Sequence, residues 1–239
     1  MEAEGSFGPA YCMCLIRVYY LDEESYVRER IWVPLVEWKD GKLNEEQVKA
    51  LPSSKLAVTS WGDEQVFLYY QGEDGIVNSL YQANSETPWQ FGPTIEGATL
   101  GSALAVVNFP MYDKHGIRLY FQQDDGTVVE ARWDNVIGQF LQLSNQSECH
   151  RGAVRIPATK GGDIAALTWG SAGGKEVLEM RIYTAKEGGY YESPYSGVWN
   201  LTWRTVADEA ANSRIAVSRG GNKTNFYFIK DQKLEWVEY

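Results

Sequence analysis

One short strand returns five times along this chain. Lined up on a central tyrosine, IRVYYLDE (16–23), VFLYYQGE (66–73), IRLYFQQD (117–124), MRIYTAKE (180–187) and NFYFIKDQ (225–232) alternate around Tyr19, Tyr69, Tyr120, Tyr183 and Tyr227. A small-residue strand precedes each: KLAVTSW (55–61), ALAVVNF (103–109), DIAALTW (163–169) and RIAVSRG (214–220), with PAYCMC (9–14) as a weaker first member. Alanines at a repeated position suit strands that converge on a crowded axis, where bulky side chains would collide. A third strand follows each tyrosine strand after a Gly or acidic turn, as in YVRERIW, IVNSLYQ, TVVEARW, YYESPY and KLEWVEY. Fourth segments rich in Trp or Gly close most copies: VEWKDGK, PWQFGPT, VIGQFLQ and VWNLTWR.

Four short strands per roughly fifty-residue unit, repeated five times, predict an all-β, five-bladed β-propeller of four-stranded antiparallel blades. A two-sheet sandwich does not repeat a strand pair at fixed period. The reading is one domain, 1–239, with approximate blades 9–53, 54–101, 102–161, 162–212, and 213–239 joined by 1–8. The last copy reaches Tyr239 on its third strand, so the N-terminal segment containing EGSFG is expected to complete it and close the ring, removing an exposed edge. Helix signals are confined to NEEQVKAL (44–51) and VADEAANS (206–213).

With 239 residues, 44% of them hydrophobic, the chain can bury a substantial core. A net charge of −10 with no Lys/Arg cluster disfavours nucleic acid. No apolar run is long enough to span a bilayer, and the acidic start is unlike a signal peptide. Sequons at Asn145, Asn200 and Asn222 fit a secreted chain but arise often by chance, so secreted and cytoplasmic locations both stand. Cys12, Cys14 and Cys149 cannot all pair within one chain; one bridge to Cys149 or three reduced, packed thiols both fit.

Charged residues recur within the repeat. Arg17 precedes Glu29 by twelve residues, Arg118 precedes Glu130 by twelve, and Arg181 precedes Glu192 by eleven because that turn is one residue shorter. Residues before and after a hairpin turn can lie together on one face. The second copy has Phe67 and Ser79 at these places, and the fifth is read as Asn225 with Glu235. A single such pair is an ordinary surface salt bridge, worth about 0.2–1 kcal/mol. Three at equivalent places form something else: a guanidinium that donates to hydroxyls beside a carboxylate that accepts from them, a clamp for a polyol. A ring to stack on a sugar is expected close by: Trp199 after Glu192, Trp38 after Glu29, and Trp133 or Phe140 after Glu130.

At IRVYY…RE, IRLYF…VVEA and KLAVTSW the chain resembles the fungal fucose-specific lectin family, typified by the orange-peel mushroom lectin. The resemblance implies a β-propeller, usually of six blades, that holds fucose between blades through an Arg, a Glu and a Trp or Tyr, without metal. It implies Arg17/Glu29, Arg118/Glu130 and Arg181/Glu192 as sugar ligands, with Trp199 the best matched ring. Five units instead of six, and two copies without the Arg, depart from that pattern.

Chemistry has weaker signals. His115 and His150 stand in no metal-ligand spacing, the cysteines lack paired CxxC motifs, and there is no phosphate loop or GxSxG elbow. SNQSECHRGA (144–153) holds Ser, Cys and His together, but adjacency in sequence is not a triad. No cofactor is expected, and no catalytic residue is assigned. Two functions fit: a lectin-like binder of fucose or fucosylated glycans, and a cofactor-free cyclase or pericyclase, such as a hetero-Diels–Alderase of fungal natural-product biosynthesis, using an aromatic pocket with Arg, Glu and Tyr to orient its substrate. A purely protein-binding propeller is a third class. The expected partner is a sugar or a small aromatic or polyene ligand, with no nucleic acid and no membrane, and a homodimer is compatible with this reading.

Overall fold

A computed structural model describes residues 16–33, 37–61, 65–111, 114–136, 150–172, 177–186, 188–200, 204–207 and 214–239. They form five successive antiparallel sheets, each built from strands consecutive in the chain. The first sheet contains β1 (Ile16–Leu21), β2 (Val27–Val33) and β3 (Glu37–Asp40). In the second are β4 (Ala57–Trp61), β5 (Gln65–Gln71), β6 (Val77–Gln82) and β7 (Gln90–Phe91). The third has β8 (Leu104–Met111), β9 (Lys114–Gln122), β10 (Thr127–Val136) and β11 (His150–Pro157). The fourth has β12 (Ile164–Trp169), β13 (Glu179–Lys186), β14 (Gly189–Ser196) and β15 (Val198–Trp199), with β16 (Arg204–Ala207) also paired to β14. β17 (Ile215–Gly220), β18 (Lys223–Lys230) and β19 (Lys233–Glu238) make the fifth.

The propeller arrangement follows the repeat, with local differences. Among the described residues the first and last sheets have three strands, and the expected contributions of residues 1–8 and 9–14 lie outside the described part. Cys12, Cys14, Cys149, Phe140 and Asn145 lie outside it too. His150–Pro157 supplies the fourth strand of the third sheet; of the expected segment VIGQFLQ, Val136 ends β10 and residues 137–142 lie outside the described part. The stretch 44–51 begins with a single 3-10 turn, Lys42–Glu45, and Val206 and Ala207 of the second helix candidate are in strand β16.

The first three tyrosine strands turn into the next strand through a repeated acidic device. Asp22, Asp74 and Asp125 accept from the backbone N–H of Tyr26, Ile76 and Thr127 respectively, and Gly75 and Gly126 supply positive φ at the turn. The crossing to the next sheet is latched by a buried glutamine. Gln71 donates to Thr99 O and accepts from Gly101 N, and Gln122 does the same with Thr159 O and Gly161 N.

The core is distributed between sheets. One buried cluster joins the first and second (Val27, Leu43, Val66, Leu68, Trp89), and another the second and third (Phe67, Tyr69, Ile117, Leu119, Trp133). A third cluster joins the third and fourth (Phe109, Tyr120, Ile156, Met180, Ile182), and a fourth the fourth and fifth (Tyr183, Tyr190, Phe226, Phe228). Strands of the inner sheets therefore bury both faces. The outward faces of the first sheet (Ile16, Val18, Tyr20) and the last (Ile229, Leu234, Trp236) stay exposed. No helix among the described residues is long and apolar enough to cross a membrane.

Candidate functional site

The register of the tyrosine hairpins gives the three Arg/Glu pairs one geometry. Tyr19 faces Glu29, Tyr120 faces Glu130 and Tyr183 faces Glu192 across the ladder, with the arginine two residues before the tyrosine on the same face. Each carboxylate is therefore diagonal to its guanidinium and directly opposite a phenol. The three hydroxyls donate to the three glutamates at 3.0, 3.0 and 2.9 Å. These tyrosines belong to the site as well, beside the Arg, Glu and Trp residues expected from the sequence. In the fifth sheet Tyr227 faces Trp236, and Glu235 lies on the other face, so the Asn225/Glu235 pairing does not form there.

Burial raises the hydroxyl pKa of Tyr19, Tyr120 and Tyr183 well above the usual 10, and the adjacent glutamate adds to it. A pKa raised in the folded state means that the native protein holds its phenolic protons more tightly than the unfolded chain. The stability this contributes is complete below about pH 10 and is lost as the pH rises toward the folded-state values. Alkaline titration should therefore show exposed tyrosines such as Tyr20 ionising first and a remaining share of the phenolate absorbance appearing only together with loss of near-ultraviolet circular dichroism. Ionisation of all fifteen tyrosines in a still-folded protein would contradict it.

The ring that meets each pair comes from the following sheet. Trp38 pairs with Trp32, on the face of the first sheet away from Arg17 and Glu29. Trp133 pairs with Ile117, on the face opposite Arg118, and packs 5.8 Å from Tyr69. Trp199 stands opposite Tyr195 in the β14–β15 ladder, on the face of the fourth sheet that looks back at the third; Glu192 is on the other face. Trp199 thus meets Arg118 and Glu130 rather than the pair nearest to it in the chain. Trp89, Tyr195 and Tyr239 complete the set, and a hairpin period read within one repeat has no means of selecting them.

The junctions differ in how full they are. Between the first and second sheets, Arg17 bonds Glu29 at 3.1 Å and Gln82 at 2.5 Å. Glu29 also accepts from Tyr19 and, through its other oxygen, from Leu43 N and the Trp89 indole. A side chain at Gly41 would collide with that carboxylate, at 2.1 Å. Between the fourth and fifth sheets, Arg181 lies 3.5 Å from Glu192 and 2.8 Å from Glu179. The Tyr239 hydroxyl donates to Glu192 at 2.8 Å, and Arg204 covers the Tyr239 ring. The second-to-third junction has rings in place of the clamp: Trp61 stacks on Phe67 and on His115, at 4.6 and 4.5 Å.

Between the third and fourth sheets lies a cavity of about 380 Å³, lined by Arg118, Glu130 and Arg132 on one side, Tyr195 and Trp199 on the other, and an apolar floor that includes Met180 and Leu178. Arg118 donates to Ile117 O and Trp133 O and lies over the Phe109 ring at 4.9 Å, which fixes the guanidinium plane. Its Nε stands 3.9 Å from Glu130 Oε1, while Glu130 Oε2 is held by Tyr120. Trp199 is edge-on to Tyr120 at 6.4 Å, as Trp89 is to Tyr19 at 6.0 Å. The arrangement offers donors, an acceptor and a ring around one concavity, which is what recognition of a polyol with an apolar face requires.

The sequence profile described as fungal fucose-specific lectin matches residues 10–224. The chain belongs to this family. It is 28% identical over 195 residues to the fucose-specific lectin of Aleuria aurantia, covering 77% of this chain and 55% of that protein. The Aspergillus fumigatus fucose-specific lectin is 26% identical over 224 residues, covering 88% and 65%. The chain thus spans less than two thirds of the length of these family relatives. Among solved structures, AofleA from Arthrobotrys oligospora superposes with a TM-score of 0.77 at 22% identity, over 94% of this chain and 65% of that one. The Aleuria aurantia lectin, described as a six-bladed β-propeller, gives 0.74 at 22% identity, over 94% and 70%. At that identity these structures speak for the fold.

Proposed function

We propose that this lectin-family chain recognises fucose or fucosylated glycans through the junction between its third and fourth sheets. The observation that carries the reading is the convergence of Arg118, Glu130 and Trp199 on one cavity, in a chain whose two other Arg/Glu junctions are filled by its own side chains. Arg118 donates to ring hydroxyls, Glu130 accepts from them, and Trp199 with Tyr195 covers the apolar edge of the sugar. The fucose-specific relatives support the sugar class. The same cavity favours a polyol over a polyene, because two guanidiniums and a carboxylate on its wall would be desolvated without compensation by a hydrocarbon.

Calorimetric titration with methyl α-L-fucoside is expected to give one site per chain. No binding would reject the reading, and two or three sites per chain would reject the assignment to this junction alone.

A further inference from the structure

The cavity between the third and fourth sheets changes character along the strand order. Its polar wall stands on the middle and outer strands: Arg118 on β9 and Glu130 on β10, with Tyr195 on β14 and Trp199 on β15 opposite. The other end is apolar, lined by Phe109 and Met111 of β8 and, across the junction, by Ala172 and Leu178 from the connection between β12 and β13. Backbone ties the two sheets together there. Ala172 N–H donates to Pro110 O at 2.9 Å, and Met111 pairs with Ala172 as a parallel bridge, so this end has a fixed wall.

The neighbouring junctions are filled at the same place. Phe109 is the last residue of the repeated strand ALAVVNF, as Trp61 is of KLAVTSW and Trp169 of DIAALTW. His115 of the third sheet stacks on Trp61 at 4.5 Å, and Arg219 of the fifth lies over Trp169 at 4.0 Å. Where the fourth sheet faces Phe109, it offers Ala172 and Leu178 instead of a ring or a guanidinium, and the cavity extends between them.

We propose that this apolar end is an aglycone subsite, so that the junction prefers a fucoside carrying a ring-sized apolar group to one that carries only a small substituent. This rests on the fucose reading above. The clamp and Trp199 hold the sugar at the polar end, and the single methyl of a 6-deoxy sugar covers little of the apolar surface that Met111, Ala172 and Leu178 present. Burying the rest is favourable in proportion to its area. The sugar satisfies the charged wall, which a hydrocarbon alone would desolvate without compensation. Met111 and Met180 are flexible and polarisable, which suits them to the outline of a ring.

The test titrates the full chain calorimetrically with methyl, phenyl and cyclohexyl α-L-fucosides. The wild type is expected to bind a ring-bearing fucoside about tenfold tighter than the methyl fucoside, with a more negative heat-capacity change. A gain for both rings supports burial of hydrocarbon, and a gain for phenyl alone supports sulfur–aromatic contacts with the methionines. Met111→Ser should lower the ring-to-methyl affinity ratio about threefold, and Met111→Leu should keep it. Ala172→Phe fills the subsite and should bring the ratio to about one. Loss of the gain in either Met111→Ser or Ala172→Phe supports the subsite. Equal affinities for the three fucosides in the wild type overturn the proposal while leaving the fucose reading intact, as does a ratio that neither variant changes. Failure of every fucoside to bind overturns both.

Discussion

Replacing Glu29 by alanine should lower the free energy of unfolding by about 3–5 kcal/mol, the range found when one partner of a buried ion pair is removed. Glu29 is fully buried, and Arg17, with 9% of its side chain exposed, would keep its charge without it. The Tyr19 hydroxyl, Leu43 N–H and Trp89 indole N–H would also lose their acceptor in the same stroke. The loss is large because this carboxylate stitches three segments together: β1, the 3-10 turn after β3, and Trp89 just ahead of β7 in the next sheet. Glu29→Gln keeps an acceptor and the shape, so it should cost distinctly less. Equilibrium denaturation of the two variants checks this, and a Glu29→Ala protein within 1 kcal/mol of wild type would show that the network is not a structural tie. The same substitution at Glu130 should cost less stability, since Arg118 keeps its bonds to two backbone carbonyls, and should be felt in ligand binding instead.

The recurrence of Tyr19, Tyr69, Tyr120, Tyr183 and Tyr227 was enough to read the five sheets, because period-two alternation and turn residues are local properties of a hairpin. The Arg/Glu pairs were legible for the same reason: both members belong to one hairpin, and β13–β14 keeps the diagonal even with its shorter turn. The partner ring was not, because the neighbouring sheet is about fifty residues away and the face that touches it depends on inter-sheet packing. Trp199 stands close to Glu192 in sequence yet on the other face, and Trp38 and Trp133 fail by the same parity. Nor does hairpin spacing reveal which junction stays open. One register place decides much of it, the residue opposite the start of each tyrosine strand: Gln82 bonds Arg17, Tyr239 bonds Glu192, and Tyr195 lines the cavity. Gln82 and Tyr239 look unrelated to either arginine until the sheets are stacked.

Arg118→Ala should weaken methyl α-L-fucoside binding by about 100-fold or more, since hydrogen bonds to a charged group are each worth about 1.5–3 kcal/mol and the variant removes the cationic donor of the clamp. Arg118→Lys is expected to lose about tenfold despite keeping the charge. An ammonium cannot hold the planar contact with Phe109 while donating to the Ile117 and Trp133 carbonyls and to a ligand in fixed directions. The alanine variant should still fold, with a stability loss of about 1–3 kcal/mol from the two lost bonds to backbone carbonyls and the lost Arg118–Glu130 pair, so circular dichroism and denaturation must accompany the titration. The corresponding changes at Arg17 and Arg181 should leave fucoside affinity near wild type, because Gln82 and Tyr239 already occupy those junctions. If Arg17→Ala or Arg181→Ala abolished binding while Arg118→Ala preserved it, the sugar would be held at one of the filled junctions, and the open cavity between the third and fourth sheets would have to serve something else.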